Sequence, residues 1–309
     1  MIATSDVAWH TALHRLLSCE VLPSRAGKCR ETCAWNLVTS AAQSFILNKR
    51  RKLSPVYASA ELLWILSGDD STEMIREYAP QYEQFAESNG RVHGAYGPRV
   101  ATQLEPLRVL LRKDHSTRRA VISLWDHADL DVADRVQDVP CTVAWHFLVR
   151  QGGLHMFCMM RSNDVWLGFP YDSYVNSCIL WLLADSLGLS IGAYTHFTSS
   201  MHLYEKNVKA AQDAVDSAAS VVGLVRGDTT HENWRGSGLP LMTAVRQAVD
   251  LERDVRTKRV LNMGALGELP GPLHDAVALC STKWMPELKY EQGLHSHRLQ
   301  AAWEVAQCS

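Results

Sequence analysis

The sequence has no excess of either charge. Lys plus Arg number 31 and Asp plus Glu number 33, a formal net charge of −2. That balance excludes the basic footprint of a general nucleic-acid or membrane-surface binder. Any anion site must be a local cluster of Arg or Lys. Long hydrophobic runs are missing too. The longest, Ile179–Ala184, falls far short of the ~20 residues a membrane span needs. The first residues carry no basic stretch followed by an apolar one, so they do not read as a signal peptide. No CxxC pair exists among the 8 cysteines. Cys29 and Cys33 lie closest, and no His/Cys partner set follows at zinc-finger spacing. Scattered reduced thiols in a cytoplasmic protein, with no metal, are therefore expected. There is no repeat, low-complexity tract or splitting linker, so residues 1–309 read as a single domain. Hydrophobic residues make up 47%, enough for a globular core.

Periodicity predicts helices at Val7–Leu17, Ala58–Leu66 (stopped by Gly68), Arg99–Arg112 and Tyr171–Leu187. The last is nearly free of charge and should be buried. Further helices are expected at His202–Leu224, Leu239–Arg256, Pro272–Cys280 and His295–Val305. Strands are expected across Trp35–Leu47, Ala120–Trp125 and Ile191–Thr198. Thr142–Arg150 and Leu154–Arg161 flank "QGG" and read as a hairpin. Arg226–Pro240 reads as a loop. Strands and helices mix without βαβ regularity, which favours an α+β fold.

Several segments could carry chemistry. In "DVPCTVAWHF", Cys141 follows a rigid proline at a strand mouth, where a thiol can face a pocket. A lone cysteine more often serves packing. "RSNDVWLGFPYDSY" sets Arg161, Ser162 and Asp164 before a helix that opens with Asp172. That aspartate has a plain alternative as a helix cap. The pair Arg118–Arg119 precedes a buried strand and could equally be a solvated turn. Arg25 in "PSRAGK" is another candidate anion ligand. His202 and Tyr204 lie two apart in "SSMHLYEKN" and could simply be structural. Glu61 stands inside the apolar "AELLWIL", and a buried carboxylate is costly unless paired or catalytic.

Taken in order, these motifs resemble the thymidylate synthase superfamily: the arginine loop, the Glu-Leu-Leu-Trp helix, Tyr96 in "HGAYGPRV", paired arginines, Pro-Cys, Arg-Ser-x-Asp-x-x-Leu-Gly-x-Pro, then His-x-Tyr. The match covers about Ser24–Asn207. The resemblance implies a large mixed β-sheet with surrounding helices, packed back-to-back in a homodimer. A divergent helical part would follow at about 208–309. It implies that Cys141 adds to C6 of a pyrimidine nucleotide, activating C5. Arg25, Arg161 and Ser162, with Arg118 and Arg119 from the other subunit, would hold the 5′-phosphate. The arginines should also lower the thiol pKa. His202 and Tyr204 would bind the sugar 3′-hydroxyl. Glu61, with Tyr96 and water, would move protons. Asp164 would contact the pterin of 5,10-methylenetetrahydrofolate, with Tyr82 and Phe85 near its ring.

Departures from the family pattern refine this. Asp172 stands where synthases have Asn. An amide donates to O4 and accepts from N3–H, which reads uracil. A carboxyl group accepts from the N4 amine and, with a shared proton, serves N3, which reads cytosine. This resembles the deoxycytidylate and cytidylate 5-hydroxymethylases of phages and related enzymes. A phage-encoded chain would work in the host cytoplasm. Thr142 replaces a His and should alter the water beside the nucleophile. The tail "AAWEVAQCS" does not resemble the apolar tail that closes over folate, so water could trap the one-carbon unit as hydroxymethyl. Ser162 and Arg119 keep the deoxynucleotide-type phosphate pair, which favours dCMP over CMP. A dCMP 5-methyltransferase, a CMP hydroxymethylase of nucleoside-antibiotic biosynthesis, a dUMP-using thymidylate synthase and a non-catalytic nucleotide- or RNA-binding regulator are the alternatives.

Overall fold

The computed structural model describes residues 4–41, 45–48, 50–217, 234–288 and 293–307. Its sheet has six strands in the order β1-β2-β6-β5-β4-β3. They are β1 (Val21–Ser24), β2 (Gly27–Ser40), β3 (Val121–Ser123), β4 (Thr142–Arg150), β5 (Gly153–Asp164) and β6 (Ser190–Tyr204). Only β5 and β6 run parallel; every other pair is antiparallel. The sheet is therefore mixed, and with its helices it makes the expected α+β fold.

The helices are α1 (Ser5–Leu17), α2 (Pro55–Ser67), α3 (Thr72–Ile75), α4 (Gly97–Ala101), α5 (Leu104–Lys113), α6 (His127–Val132), α7 (Phe169–Ser186), α8 (Val208–Ser217), α9 (Leu241–Lys258), α10 (Met263–Gly267), α11 (Gly271–Trp284) and α12 (His297–Gln307). Helix α2 starts on Ser54, whose side chain accepts from the Tyr57 amide, with Pro55 in the first turn. It ends at Gly68, whose φ of 79° is the left-handed cap glycine tolerates. Helix α7 buries Tyr174, Val175, Ile179 and Leu183 against the sheet and α2. These two helices and the ends of β5 and β6 frame one end of the sheet.

Three expectations need correction. The strand placed at Trp35–Leu47 begins at Gly27 and stops at Ser40. Its first half is polar: Arg30 pairs with Glu205 at 2.8 Å and Glu31 accepts from Ser200, so hydrophobic alternation hides it. The helix placed at Arg99–Arg112 is broken into α4 and α5. Gln103 sits at the break and donates to the carbonyls of Arg99 (2.7 Å) and Ser123 (2.8 Å). Pro106, which has no N–H, is then in the first turn of α5, where none is needed. Finally, β6 continues to Tyr204, so His202 and Tyr204 lie on a strand, and α8 starts only at Val208. Residues 218–233, including the end of the helix expected to Leu224 and most of the Arg226–Pro240 loop, lie outside the described residues.

On the sheet face away from α7, one apolar side chain on each of five strands stays exposed. Val38, Phe197, Met159, Val143 and Val121 are each 37–44% accessible across β2, β6, β5, β4 and β3. No helix among the described residues is long and apolar enough to cross a membrane.

Candidate active site

The framed end of the sheet holds a cavity of about 840 Å³. Every expected site residue except Arg118 and Arg119 lines it. Those two arginines are exposed just ahead of β3, outside the cavity of their own chain.

Cys141 precedes β4. Arg161, across the ladder on β5, donates its backbone N–H to the Cys141 carbonyl at 2.9 Å. Its guanidinium grips the carbonyls of Pro140 (2.9 Å) and Val139 (3.1 Å), which brings Nη2 to 3.6 Å from the Cys141 sulfur. The Trp125 ring lies under the same guanidinium at 5.6 Å. Arg25 occupies the tight turn between β1 and β2, ahead of Gly27 with φ 117°. Burial outweighs the two arginines, which do pull the thiol pKa down as expected. Burial pushes the Cys141 thiol up to about 11; Arg161 and Arg25 pull it down, but Asp138 and Asp172 push the other way.

Asp172 is not a helix cap. Gly168 holds the N-cap position of α7 and no side chain caps it. The Asp172 carboxylate instead accepts a hydrogen bond from Asn163 Nδ2 on β5, at 2.7 Å on Oδ2. Burial, then the nearby Glu61, raises the Asp172 pKa to about 7; Asp164 adds to the rise and the Asn163 hydrogen bond opposes it. Gly168 is required by close approach. A Cβ there would lie 2.8 Å from Asn163 Nδ2 and 3.2 Å from Asp172 Oδ2.

Glu61 faces the cavity from α2. Tyr57, one turn earlier, donates to its Oε1 at 2.7 Å, and Tyr82 donates to the same oxygen at 3.1 Å. Burial raises the Glu61 pKa and these two hydrogen bonds partly offset it. Tyr82 and Phe85 pack edge-to-face at 5.5 Å, extending an aromatic wall with Trp64. Tyr96 accepts from the Thr142 amide (3.1 Å) and from its hydroxyl (3.0 Å). Thr142, where the family pattern has His, is thus buried and spent on holding the Tyr96 phenol. That leaves the phenol's own proton to donate.

At the other end, Ser162 Oγ lies 3.4 Å from His202 Nδ1, and the His202 and Tyr204 rings meet edge-to-face at 5.0 Å. Asp164 accepts from the amides of Trp166 (2.7 Å) and Leu167 (3.2 Å), which fixes the turn into α7. Sequence reasoning missed Tyr57, Arg51, Asp138 and Asn163, all of which line the cavity. Arg51 donates to the Trp166 carbonyl at 2.8 Å and lies over the rings of Trp166 and Tyr171. Only Tyr57 carried a readable signal, its i,i+4 spacing to Glu61.

The sequence also suggested no ligand cluster for a metal. The fold brings His274, Asp275 and His295 together, away from the cavity. Their imidazoles stack in parallel at 4.3 Å, and Asp275 accepts from Trp234 Nε1 and the amides of His295 and Ser296. The carboxylate already has partners, and parallel rings do not aim their nitrogens at one point.

The thymidylate synthase family model matches residues 25–224, more than half of the chain. The chain belongs to the thymidylate synthase family. It is 27% identical over 186 residues to the deoxyuridylate hydroxymethyltransferase of Pseudomonas phage M6, a match covering 58% of this chain and 53% of that protein. It is 28% identical over 169 residues to the thymidylate synthase of Symbiobacterium thermophilum, covering 47% of this chain and 57% of that protein. The chain spans about half the length of the curated relatives it matches. Within the family match lie the cavity residues from Arg25 to Tyr204; α9 to α12 fall beyond it.

Proposed function

We propose that the protein transfers a one-carbon unit to C5 of a pyrimidine nucleoside monophosphate, with dCMP as substrate and 5-hydroxymethyl-dCMP as product. One observation carries the reading. Cys141 and Asp172 line the same cavity, and Asp172 is a carboxyl held between charged and neutral near pH 7.

The thiol of Cys141 bonds to C6 and drives an electron pair onto C5. Arg161 Nη2, close to the sulfur, favours the thiolate as that bond forms. Asp172 accepts from the N4 amine and shares its proton with N3, which makes C6 more electrophilic. When bound, 5,10-methylenetetrahydrofolate supplies the one-carbon unit. The residues suit it: the cavity volume lies within the range of small-molecule sites, and Tyr82, Phe85 and Asp164 offer a flat ring both stacking and a carboxylate. Glu61 and Tyr96 move protons at the base and at the new carbon. C5 gives up its proton and loses tetrahydrofolate, water adds to the methylene carbon left on C5, and the sulfur leaves C6.

Arg25, Arg161 and Ser162 bind the 5′-phosphate, and His202 with Tyr204 the sugar. Arg118 and Arg119 reach the phosphate from the partner in a back-to-back homodimer. Their exposure and the uncovered apolar sheet face support that assembly. Retention of Ser162 and Arg119 supports dCMP over CMP. A uracil-reading enzyme is the second reading, favoured by the name of the phage relative.

The test is tritium release from C5-labelled dCMP and dUMP in the presence of methylenetetrahydrofolate. Release from dCMP with a product heavier by CH2O is expected. Release from dUMP alone rejects the cytosine reading. A gain of CH2 with dihydrofolate formed makes the enzyme a methyltransferase.

A further inference from the structure

We propose that Asn163 is the positioning residue that sets which oxygen of Asp172 accepts and which donates, and so selects cytosine over uracil. The inference rests on the proposed reading of the base by Asp172.

Asn163 is 4% exposed on β5, and its Nδ2 donates to Asp172 Oδ2. Its Oδ1 is buried and has no hydrogen-bond partner among the described residues. The Nδ2 donor of this buried amide is thus committed to Asp172. A neutral carboxyl has one acceptor oxygen and one donor oxygen. An oxygen that already receives an N–H cannot point its own proton along the same line. Asn163 Nδ2 therefore keeps Oδ2 as the acceptor, and any proton on Asp172 resides on Oδ1.

That ordering matters because the two bases present opposite edges. Cytosine needs an acceptor for its N4 amine and a donor for N3. Uracil needs a donor for O4 and an acceptor for N3–H. A carboxylic acid free to exchange its oxygens could serve either base. A carboxyl whose polarity is pinned serves one, and the other leaves buried groups unpaired. In the reverse orientation, the Asn163 carbonyl would face Oδ2 and the proton would have to move there. The amide orientation and the carboxyl polarity are one coupled choice.

The titratable groups facing Asp172 come from several elements. Glu61 on α2 and Asp164 at the end of β5 favour its protonation. Tyr96 before α4, Cys141 before β4, Cys158 on β5 and Tyr194 on β6 each feel its charge. Asn163 is the hydrogen-bonding group that opposes protonation. Removing it raises the Asp172 pKa.

The experiment compares wild-type protein with Asn163→Leu and the isosteric Asn163→Asp. It measures kcat/KM for dCMP and for dUMP by tritium release, each as a function of pH. The ratio of dCMP to dUMP should fall by about tenfold or more in both variants, the loss of one buried hydrogen-bond preference. The limb of the dCMP profile that Asp172 controls should move to higher pH. Parallel loss on both nucleotides with an unmoved limb, or no change, overturns the role of Asn163. Wild-type protein that uses dUMP alone overturns the cytosine reading, and the inference with it.

Discussion

Arg161 holds the carbonyls of Val139 and Pro140 with one edge of its guanidinium and leaves Nη2 3.6 Å from the Cys141 sulfur. The same side chain thus anchors the backbone that presents the thiol and supplies the charge beside it. Burial still wins, and the thiol sits near 11. A thiolate becomes favourable only as a substrate accepts the electron pair.

Removing that charge should be visible without any substrate. In Arg161→Met, the pH at which Cys141 reacts with iodoacetamide should rise above the wild-type value, because a lowering influence is lost and the burial remains. Alkylation followed residue by residue by mass spectrometry checks this, since exposed Cys33 will also react. An unchanged or lower midpoint at Cys141 would show that Arg161 does not act on the sulfur.

Asp172 should leave a mark on stability. Unfolded, an aspartate titrates near 3.9; folded, Asp172 titrates near 7. Between those values the folded state binds more protons, so the Asp172 contribution to stability falls as pH rises from about 4 to 7 and stays low above. Asp172→Asn removes the buried charge. The variant should gain on wild type with rising pH, by on the order of 2–4 kcal/mol at pH 8 and by almost nothing at pH 4. Denaturant melts at both pH values check it. A gap independent of pH would mean Asp172 is not buried as a titrating group.

Much of this site was legible because its residues come in contiguous motifs. Arg161, Ser162 and Asp164 share one strand end, and Pro140 fixes Cys141 at another. What stayed hidden were meetings between elements distant in sequence. Asp138 reaches the cavity from the loop before Cys141, and Arg51 from the segment before α2; neither sits in a pattern. Asn163 was in view inside the motif, yet its hydrogen bond to Asp172 depends on how α7 returns over β5. The end of β6 was hidden because Thr198, Ser199 and Ser200 interrupt the apolar alternation before buried Met201 and Leu203 resume it beside His202 and Tyr204. The break between α4 and α5 depends on a side chain, Gln103, bonding to β3.

The exposed pair Arg118 and Arg119 yields a prediction about assembly. If they complete the partner's phosphate site, Cys141→Ser and Arg119→Ala homodimers should each be inactive or nearly so. Mixing and re-forming dimers should restore activity, roughly a quarter of wild type, because half the dimers are hybrid and each hybrid has one intact site. Activity that never rises on mixing, with exchange verified by native mass spectrometry, would place the arginines in their own chain or outside the reaction.

The central claim is that Asp172 reads the base that Cys141 attacks. The most direct measurement is kcat/KM of Asp172→Asn for dCMP and dUMP, by release of tritium from C5. An amide presents the uracil pattern, so dCMP use should fall by about a hundredfold or more while dUMP use is kept or rises. Equal dCMP turnover in wild type and variant, or a uniform loss on both nucleotides, would contradict it.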